Sequence, residues 1–278
     1  MNLLPGFEPS EADLVQMALD MPLETKIEKA ILFFKTYCDG AYGAFSGGKD
    51  SCVIKELAKE ANVNVDWHYN NVTIDPPELV QFIRKHHPDV KWNNQPIGLL
   101  KQMEIQQSPP TRIMRWCCNL YKEQGGNDRP KIYGVRISES VSRAKRWKQI
   151  VPDRKTKQPI FCPIVYWTDE DVWGYIKSRN VPYCKLYDEG FHRLGCVGCP
   201  LNRNRQDGFN RWPRFEKAWR KAFQRTWDKW AHIPTKQGKE RVFVRCGSAE
   251  KWFDWWMSNE AYENDDGQCV FEDMMEQR

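Results

Sequence analysis

Ala41-Tyr42-Gly43-Ala44-Phe45-Ser46-Gly47-Gly48-Lys49-Asp50-Ser51 is the stretch that decides the architecture. Its first six residues read as a short apolar strand. Two glycines follow, and then a helical pattern from about Asp50 to Glu60. A strand that turns through glycines into a helix aims backbone N–H groups into the turn, and the helix N-terminus adds partial positive charge. Such a turn suits an anion. Lys49 adds a mobile cation, the Ser46 and Ser51 hydroxyls add donors, and Asp50 is placed to orient the loop or help hold Mg²⁺. A plain glycine turn between strand and helix is the simpler reading of the same residues. Gly43 to Lys49 also match the glycine-to-lysine spacing of a Walker A loop, but Asp50 stands where that loop needs Ser or Thr on the metal.

Outward from this stretch the same texture repeats. Residues 1–37 read as a helical segment, with apolar residues at helical spacing in Glu11–Ala18 and Leu23–Phe34. Val63 to Tyr69 alternates like a second strand, and Asp75-Pro76-Pro77 opens a helix to about Lys85, proline being suited to a first turn. Lys131 to Arg136 is a further strand candidate and Gln158 to Val165 a weaker one; Thr168 caps a helix through about Ser178. Strands alternating with helices predict an α/β fold, a Rossmann-like parallel sheet with helices on both faces. The expected division is a helical segment over 1–37, a nucleotide-binding domain over 38–190, and a region over 191–278 that joins a cysteine knuckle to a Trp-rich helical end and an acidic tail.

The chain has 278 residues, 41% hydrophobic and 28% charged, enough for a packed core. No apolar stretch approaches the roughly 20 residues of a membrane span, and Met1 to Pro5 lack signal-peptide character, so a cytoplasmic location without membrane contact is expected. In a reducing compartment the ten cysteines favour metal or catalytic roles over disulfides. The net charge of +5 is uneven: between Leu201 and Lys251 bases far outnumber acids, while beyond Lys251 the acids dominate. Phe215, Trp219, Ala222, Phe223, Thr226 and Trp230 share one helical face. That face reads as core, or, beside Arg214, Arg220 and Arg225, as a surface that stacks bases.

Ser46 to Ser51 resemble the PP-loop of the ATP-pyrophosphatase and phosphoadenosine-phosphosulfate (PAPS) reductase superfamily. The resemblance runs from about Phe34 to Leu201. Thr73-Ile74-Asp75-Pro76-Pro77-Glu78 is similar to the family's acidic-then-proline segment near the adenosine, which implies a nucleotide role for Asp75. Gly134-Val135-Arg136-Ile137-Ser138-Glu139-Ser140 with Arg143 resembles its Gly-x-Arg…Glu-Ser…Arg segment, which implies that Gly134, Arg136, Glu139, Ser140 and Arg143 face phosphates. Trp167 to Trp173 resembles its tryptophan-acidic helix start. Ser46, Gly47, Gly48, Lys49, Asp50 and Ser51 are then the phosphate loop, and Lys49, Asp50 and Arg136 the expected catalytic residues. Arg136 and Arg143 are also guanidinium forks suited to bidentate phosphate contacts, with surface ion pairing as the alternative.

Cys117-Cys118 and Cys196-Val197-Gly198-Cys199 form a second constellation. Structural zinc commonly uses two knuckles roughly 15–20 residues apart, whereas here an adjacent pair lies far upstream; a zinc site stays open. The arrangement resembles that of bacterial adenosine-phosphosulfate (APS) reductases, which implies a 4Fe–4S cluster on Cys117, Cys118, Cys196 and Cys199. Adjacent ligands are crowded, so one of Cys117 and Cys118 is a candidate non-ligand, with Cys162 and Cys184 in reserve. Cys38 and Cys52 read as core thiols.

Two chemistries follow from the resemblance. Reductases of this kind attack with a tail cysteine in a Glu-Cys-Gly-Leu-His type motif, which is missing here. Cys269 sits among acids, wrong for a nucleophile, and Cys246 in a more basic setting. The preferred expectation is an ATP pyrophosphatase that binds ATP and Mg²⁺, adenylylates a substrate and supports iron–sulfur-dependent sulfur transfer to nucleic acid. That reading calls on the basic 201–251 region and a sulfur-donor protein. An APS/PAPS reductase and a non-catalytic nucleotide-binding regulatory module are the alternatives.

Overall fold

The computed structural model describes residues 10–202 and 205–258. Two helices open it, α1 (Glu11–Leu19) and α2 (Leu23–Tyr37), separated at the Asp20–Pro22 corner. Ser10 and Asp13 close a reciprocal capping box on α1. The sheet region then runs β1 (Tyr42–Ala44), α3 (Lys49–Glu60), β2 (Asp66–Asn71), α4 (Pro77–His86), β3 (Lys91–Asn94), α5 (Leu99–Gln106), β4 (Lys131–Ile132), α6 (Val141–Arg146), β5 (Ile150–Pro152), β6 (Pro159–Phe161) and α7 (Asp169–Ser178). Three helices follow: α8 (Arg205–Arg211), α9 (Pro213–Trp230) and α10 (Ala249–Ser258).

The strands form one six-stranded sheet in the order β3-β2-β1-β4-β6-β5. β1 pairs in parallel with β2 and with β4, β4 pairs in parallel with β6, and β5 closes the edge antiparallel. The fold is Rossmann-like. The chain steps from β1 to β2 on one side and later returns to place β4 on the other. Strand order therefore reverses at β1, and a reversal of this kind opens a crevice at the carboxyl ends of the strands. Both segments that enter this crevice, after β1 and after β4, carry the candidate phosphate residues.

The strand expected over Lys131 to Arg136 stops at Ile132. Gly134 leaves the sheet to pass the Asp50 backbone, where a Cβ on it would stand 3.1 Å from the Asp50 carbonyl oxygen. Val63 to Val65 form the turn after α3 rather than strand, with Val63 N–H donating to Ala58. Thr168 caps α7 as the sequence predicts, in a capping box with Asp171. Asp171 also receives the buried Lys26 at 2.5 Å, which ties α2 to α7.

Chain contacts divide the protein into two interleaved units: one of residues 1–70, 77–93 and 124–194, the other of 71–76, 94–123 and 195–278. In the first, the core gathers α2, α3 and the sheet around Phe34, Ile54, Leu57 and Ile132, all fully buried. Cys38 and Cys52 lie in this core, as expected, and burial pushes the Cys38 thiol up to about 12. His87 packs there against Phe45 and Phe82, and burial holds its imidazole down to about 4. The neutral form is thus favoured in the folded state while the unfolded chain protonates near 6.5. Stability should fall as pH drops from about 6.5 toward 4, by at most about 1.4 kcal/mol per pH unit from this residue. His87→Gln should flatten that part of a plot of unfolding midpoint against pH; an unchanged slope would refute the assignment.

In the second unit α9 packs against α5, α8 and α10. Trp219 and Phe223 of α9 interleave with Trp252, Phe253 and Trp256 of α10, with ring centroids 4.7 Å apart for Trp219–Trp256 and 4.8 Å for Phe223–Trp252. These rings are core. The helical stripe expected from the sequence is therefore a packing face, and its buried members are Trp219, Ala222, Phe223 and Thr226.

Candidate functional site

The loop after β1 takes its shape from its own side chains. Gly47 adopts φ +75°, which favours glycine, and a Cβ there would collide with Ile83 and Leu79 at 2.8 Å. Ser46 Oγ accepts from the Gly48 N–H and lies 3.3 Å from Ser51 Oγ, while Ser51 Oγ donates to the Gly48 carbonyl. Gly48 caps α3 without a side chain of its own, so no capping side chain covers the Asp50 and Ser51 N–H groups at the helix start.

Four charged side chains converge on this loop. Lys49 Nζ lies 3.0 Å from Asp169 Oδ1. Arg136 Nε meets Asp50 Oδ1 at 2.5 Å and its Nη2 meets Asp169 Oδ1 at 2.9 Å. Lys49 and Arg136 are buried, 6% and 3% exposed, whereas the Asp169 side chain is half exposed. Burial alone would raise the Asp169 carboxyl, but Lys49 and then Arg136 outweigh it and hold the group below the usual carboxylate range. Asp169 was read in the sequence only as part of a helix start. Because Thr168 and Asp171 complete the capping box between them, Asp169 is left to turn toward the loop. Tyr187 was not anticipated at all: its hydroxyl accepts from the Lys49 N–H at 2.9 Å, and its ring faces the Lys49 ammonium at 5.5 Å. It reaches the loop from about 140 residues downstream, so no local pattern marks it.

Glu139, Ser140 and Arg143 form a smaller group beside these. Ser140 caps α6 by accepting from the Arg143 N–H, and Arg143 pairs with Glu139. Arg143 also feels the charges of Asp50 and Arg136. Asp75 belongs to the other unit, where its carboxylate acts on Lys122 and Cys196.

The second unit also holds all four candidate cluster cysteines. Cys117 and Cys118 lead into a π-helix, Cys118–Lys122, a wide turn in which the Glu123 N–H reaches back to the Cys118 carbonyl. The Cys117 thiol hydrogen-bonds to Cys118; that hydrogen bond first, then Arg115 (Nη2 to Sγ 3.4 Å) and Lys122, lower the Cys118 thiol against burial. Cys117 is correspondingly pushed up, and the charges of Cys196 and Cys199 add to the effect. Burial pushes Cys196 up while Lys122, hydrogen-bonded to it, pulls the other way. The four thiols thus share one electrostatic neighbourhood, although among the described residues no three His, Cys, Asp or Glu side chains form a group that could hold a single metal ion. Thiolate donors with Arg and Lys hydrogen bonds to sulfur are the chemistry an iron–sulfur cluster uses. Cys162 and Cys184 are buried in the first unit.

The Cys196–Cys199 knuckle is held by its neighbours. The Val197 N–H donates to the Ile74 carbonyl, and Trp219 Nε1 donates to the Val197 carbonyl at 3.1 Å. Gly198 sits at φ +80°, and a Cβ there would stand 2.7 Å from Trp219 and from Phe209. Gly198→Ala therefore combines backbone strain with overpacking. It should cost about 2–4 kcal/mol, measured by chemical denaturation; a loss below about 0.5 kcal/mol would contradict this packing.

Four arginines of the basic block over 201–251 are engaged within the second unit, while Arg214, Lys217, Lys221, Lys229 and Lys239 are exposed. Arg220 pairs with Glu216 and Glu250, Arg225 with Glu104, and Arg205 and Arg241 are buried against backbone carbonyls. Cys246 ends a 3-10 turn and is half-buried; Cys269 lies outside the described residues. No helix among the described residues is long and apolar enough to cross a membrane.

The sheet order and the glycine loop entering a helix at its switch point place the chain in the Rossmann-like nucleotide-binding class. Within that class the chain belongs to the phosphoadenosine phosphosulfate reductase domain family, which matches residues 41–202. Among curated relatives it is 25% identical to an adenosine 5'-phosphosulfate reductase of Staphylococcus haemolyticus over 66% of this chain and 81% of that protein. It is 28% identical to an uncharacterised protein of Methanocaldococcus jannaschii over 69% of this chain, and there it spans about half of the relative, 52%. A phosphoadenylyl-sulfate reductase from Candida auris superposes with a TM-score of 0.48 at 14% identity, over 69% of this chain and 98% of that one.

Proposed function

We propose that the chain is an ATP pyrophosphatase of this family, which activates a substrate by adenylylation and supports iron–sulfur-dependent sulfur transfer to nucleic acid. The observation that carries this reading is the pairing of two buried cations, Lys49 and Arg136, with two carboxylates, Asp50 and Asp169, at the switch point. A bare sulfonucleotide would meet two cations already neutralised by two carboxylates. A triphosphate with Mg²⁺ meets two hard oxygen ligands and two cations, the recurrent setting for metal-bound phosphates. In this reading the N–H groups of Asp50 and Ser51, at the start of α3, hold the β- and γ-phosphates, and Lys49 takes up the charge that grows on departing pyrophosphate. Arg136, fixed by Ser138 and the two carboxylates, sits against the α-phosphate. A substrate oxygen forms its bond to the α-phosphorus as the bond to the pyrophosphate oxygen breaks. A 4Fe–4S cluster on Cys117, Cys118, Cys196 and Cys199 would supply redox and sulfur-handling chemistry when bound.

The names of the curated relatives favour a second reading, an APS or PAPS reductase. Turnover of ATP, APS and PAPS by anaerobically purified full-length protein separates the two. Pyrophosphate from ATP supports the proposal. Sulfite from APS or PAPS that disappears in Cys246→Ser or Cys269→Ser replaces it with the reductase, and tight nucleotide binding without either product leaves a regulatory module.

A further inference from the structure

The nucleic-acid partner is expected on the basic 201–251 region, of which Arg205, Arg220, Arg225 and Arg241 are engaged within their own unit. A denser basic run lies elsewhere. From Arg143 to Lys157 there are seven basic residues and one acid, Asp153. Asp153 is buried and neutralised: one oxygen takes Lys131 at 3.0 Å, and the other accepts from the backbone N–H groups of Lys155 and Thr156. The only acid of the run is thus spent on ordering the turn that joins β5 to β6. Around it Lys145, Arg146, Lys148, Arg154, Lys155 and Lys157 are all exposed. Lys148 meets the carboxylate of exposed Glu11.

Topology arranges these charges in a line. β5 runs antiparallel to β6 with Ile150 opposite Phe161 and Pro152 opposite Pro159, so it starts at the carboxyl edge of the sheet and ends at the opposite edge. Lys145, Arg146 and Lys148 precede it at the edge that carries the phosphate loop, and Arg154, Lys155 and Lys157 follow it at the far end. The three residues of β5 span about 10 Å, the axial length of roughly three phosphates on one strand of a duplex. At the upper end lies Arg143, whose electrostatic surroundings include Asp50 and Arg136 of the loop. A single small anion has no use for a row of this length. Trp147, half-buried beneath Arg146 at 5.1 Å, adds a flat ring among the cations.

We infer that this strip, from α6 along edge strand β5 to the β5–β6 turn, is the docking surface for the sugar–phosphate backbone of a nucleic-acid substrate. It leads that backbone away from the nucleotide site of the same unit. The inference rests on the nucleic-acid part of the proposed function and moves it to a different surface.

The test measures binding of the full-length protein to a fluorescein-labelled single-stranded DNA and to its duplex across a salt series. Pyrophosphate release from ATP is assayed in parallel. The triple variant Lys145→Glu/Arg154→Glu/Lys157→Glu should bind at least about tenfold more weakly and show a log–log salt slope shallower by about three. Its unfolding midpoint should match wild type, and the α9 control Lys217→Glu/Lys221→Glu should bind as wild type does. Wild-type affinity in the triple variant, or an equal loss in the α9 control, would overturn the strip. So would wild-type protein that ignores both DNAs yet binds vesicles of anionic phospholipid through the same lysines, since the partner would then be a membrane. Loss of pyrophosphate release in wild type, with DNA binding intact, would remove the proposed chemistry and leave the docking surface standing.

Discussion

Lys49→Ala should lower pyrophosphate release from ATP by about 10²–10³-fold while leaving the protein folded. The size of the effect follows from where the ammonium sits. Lys49 is buried at the helix start, where water screens charge poorly, so its interaction with a departing pyrophosphate exceeds that of a surface lysine. Its removal leaves Asp169 still paired with Arg136 and half exposed, so the change in unfolding free energy should stay within about 1 kcal/mol. Lys49→Arg keeps the charge but replaces a compact ammonium with a planar fork beside the Tyr187 and Trp173 rings, and should recover only part of the rate. Binding of ATP and the rate of release are to be measured separately. Wild-type release by Lys49→Ala would remove this loop from the chemistry altogether.

Cys196→Ser should strip the anaerobically purified protein of its iron. Wild type is expected to carry about four iron and four sulfide per chain and to be brown, and the variant to be pale with most of that iron lost. Serine replaces a soft thiolate with a hard, weakly acidic hydroxyl in the environment that Lys122 and Asp75 set. Cys162→Ser, in the first unit, is the matched control and should keep its iron. A colourless wild type loaded with zinc would refute the cluster. Equal iron loss in both variants would show that the loss reports general damage.

The parts of the fold that are local in sequence were legible. The turn from Ser46 into α3, the Thr168 cap of α7 and the amphipathic face of α9 each depend on residues within a few positions of one another. Contacts that close over long separations were not. β4 is two residues long because Gly134 must pass the Asp50 backbone, and nothing within Lys131 to Arg136 shows that neighbour. Asp169 looked like one of three equivalent acids at a helix start; only the closed Thr168–Asp171 box singles it out. The charge of 201–251 was visible, but its partners Glu104 and Glu250 lie far from the arginines they meet. Charge in a sequence says how many cations there are, and the fold says which of them remain exposed.

The interleaving of the two units also sets an order of events on the ribosome. Residues 71–76 and 94–123 emerge long before 195–278, the segment that completes their unit. Cys117 and Cys118 must therefore wait in the nascent chain, beside a half-made unit, until Cys196, Cys199 and the Trp219 that pins their knuckle have been synthesised. Every residue of the first unit precedes Gly195, so all of that unit is synthesised before most of the second unit's final stretch. A chain halted near Leu201 would hold all six strands and all four of these cysteines but none of α8, α9 and α10, which complete the second unit.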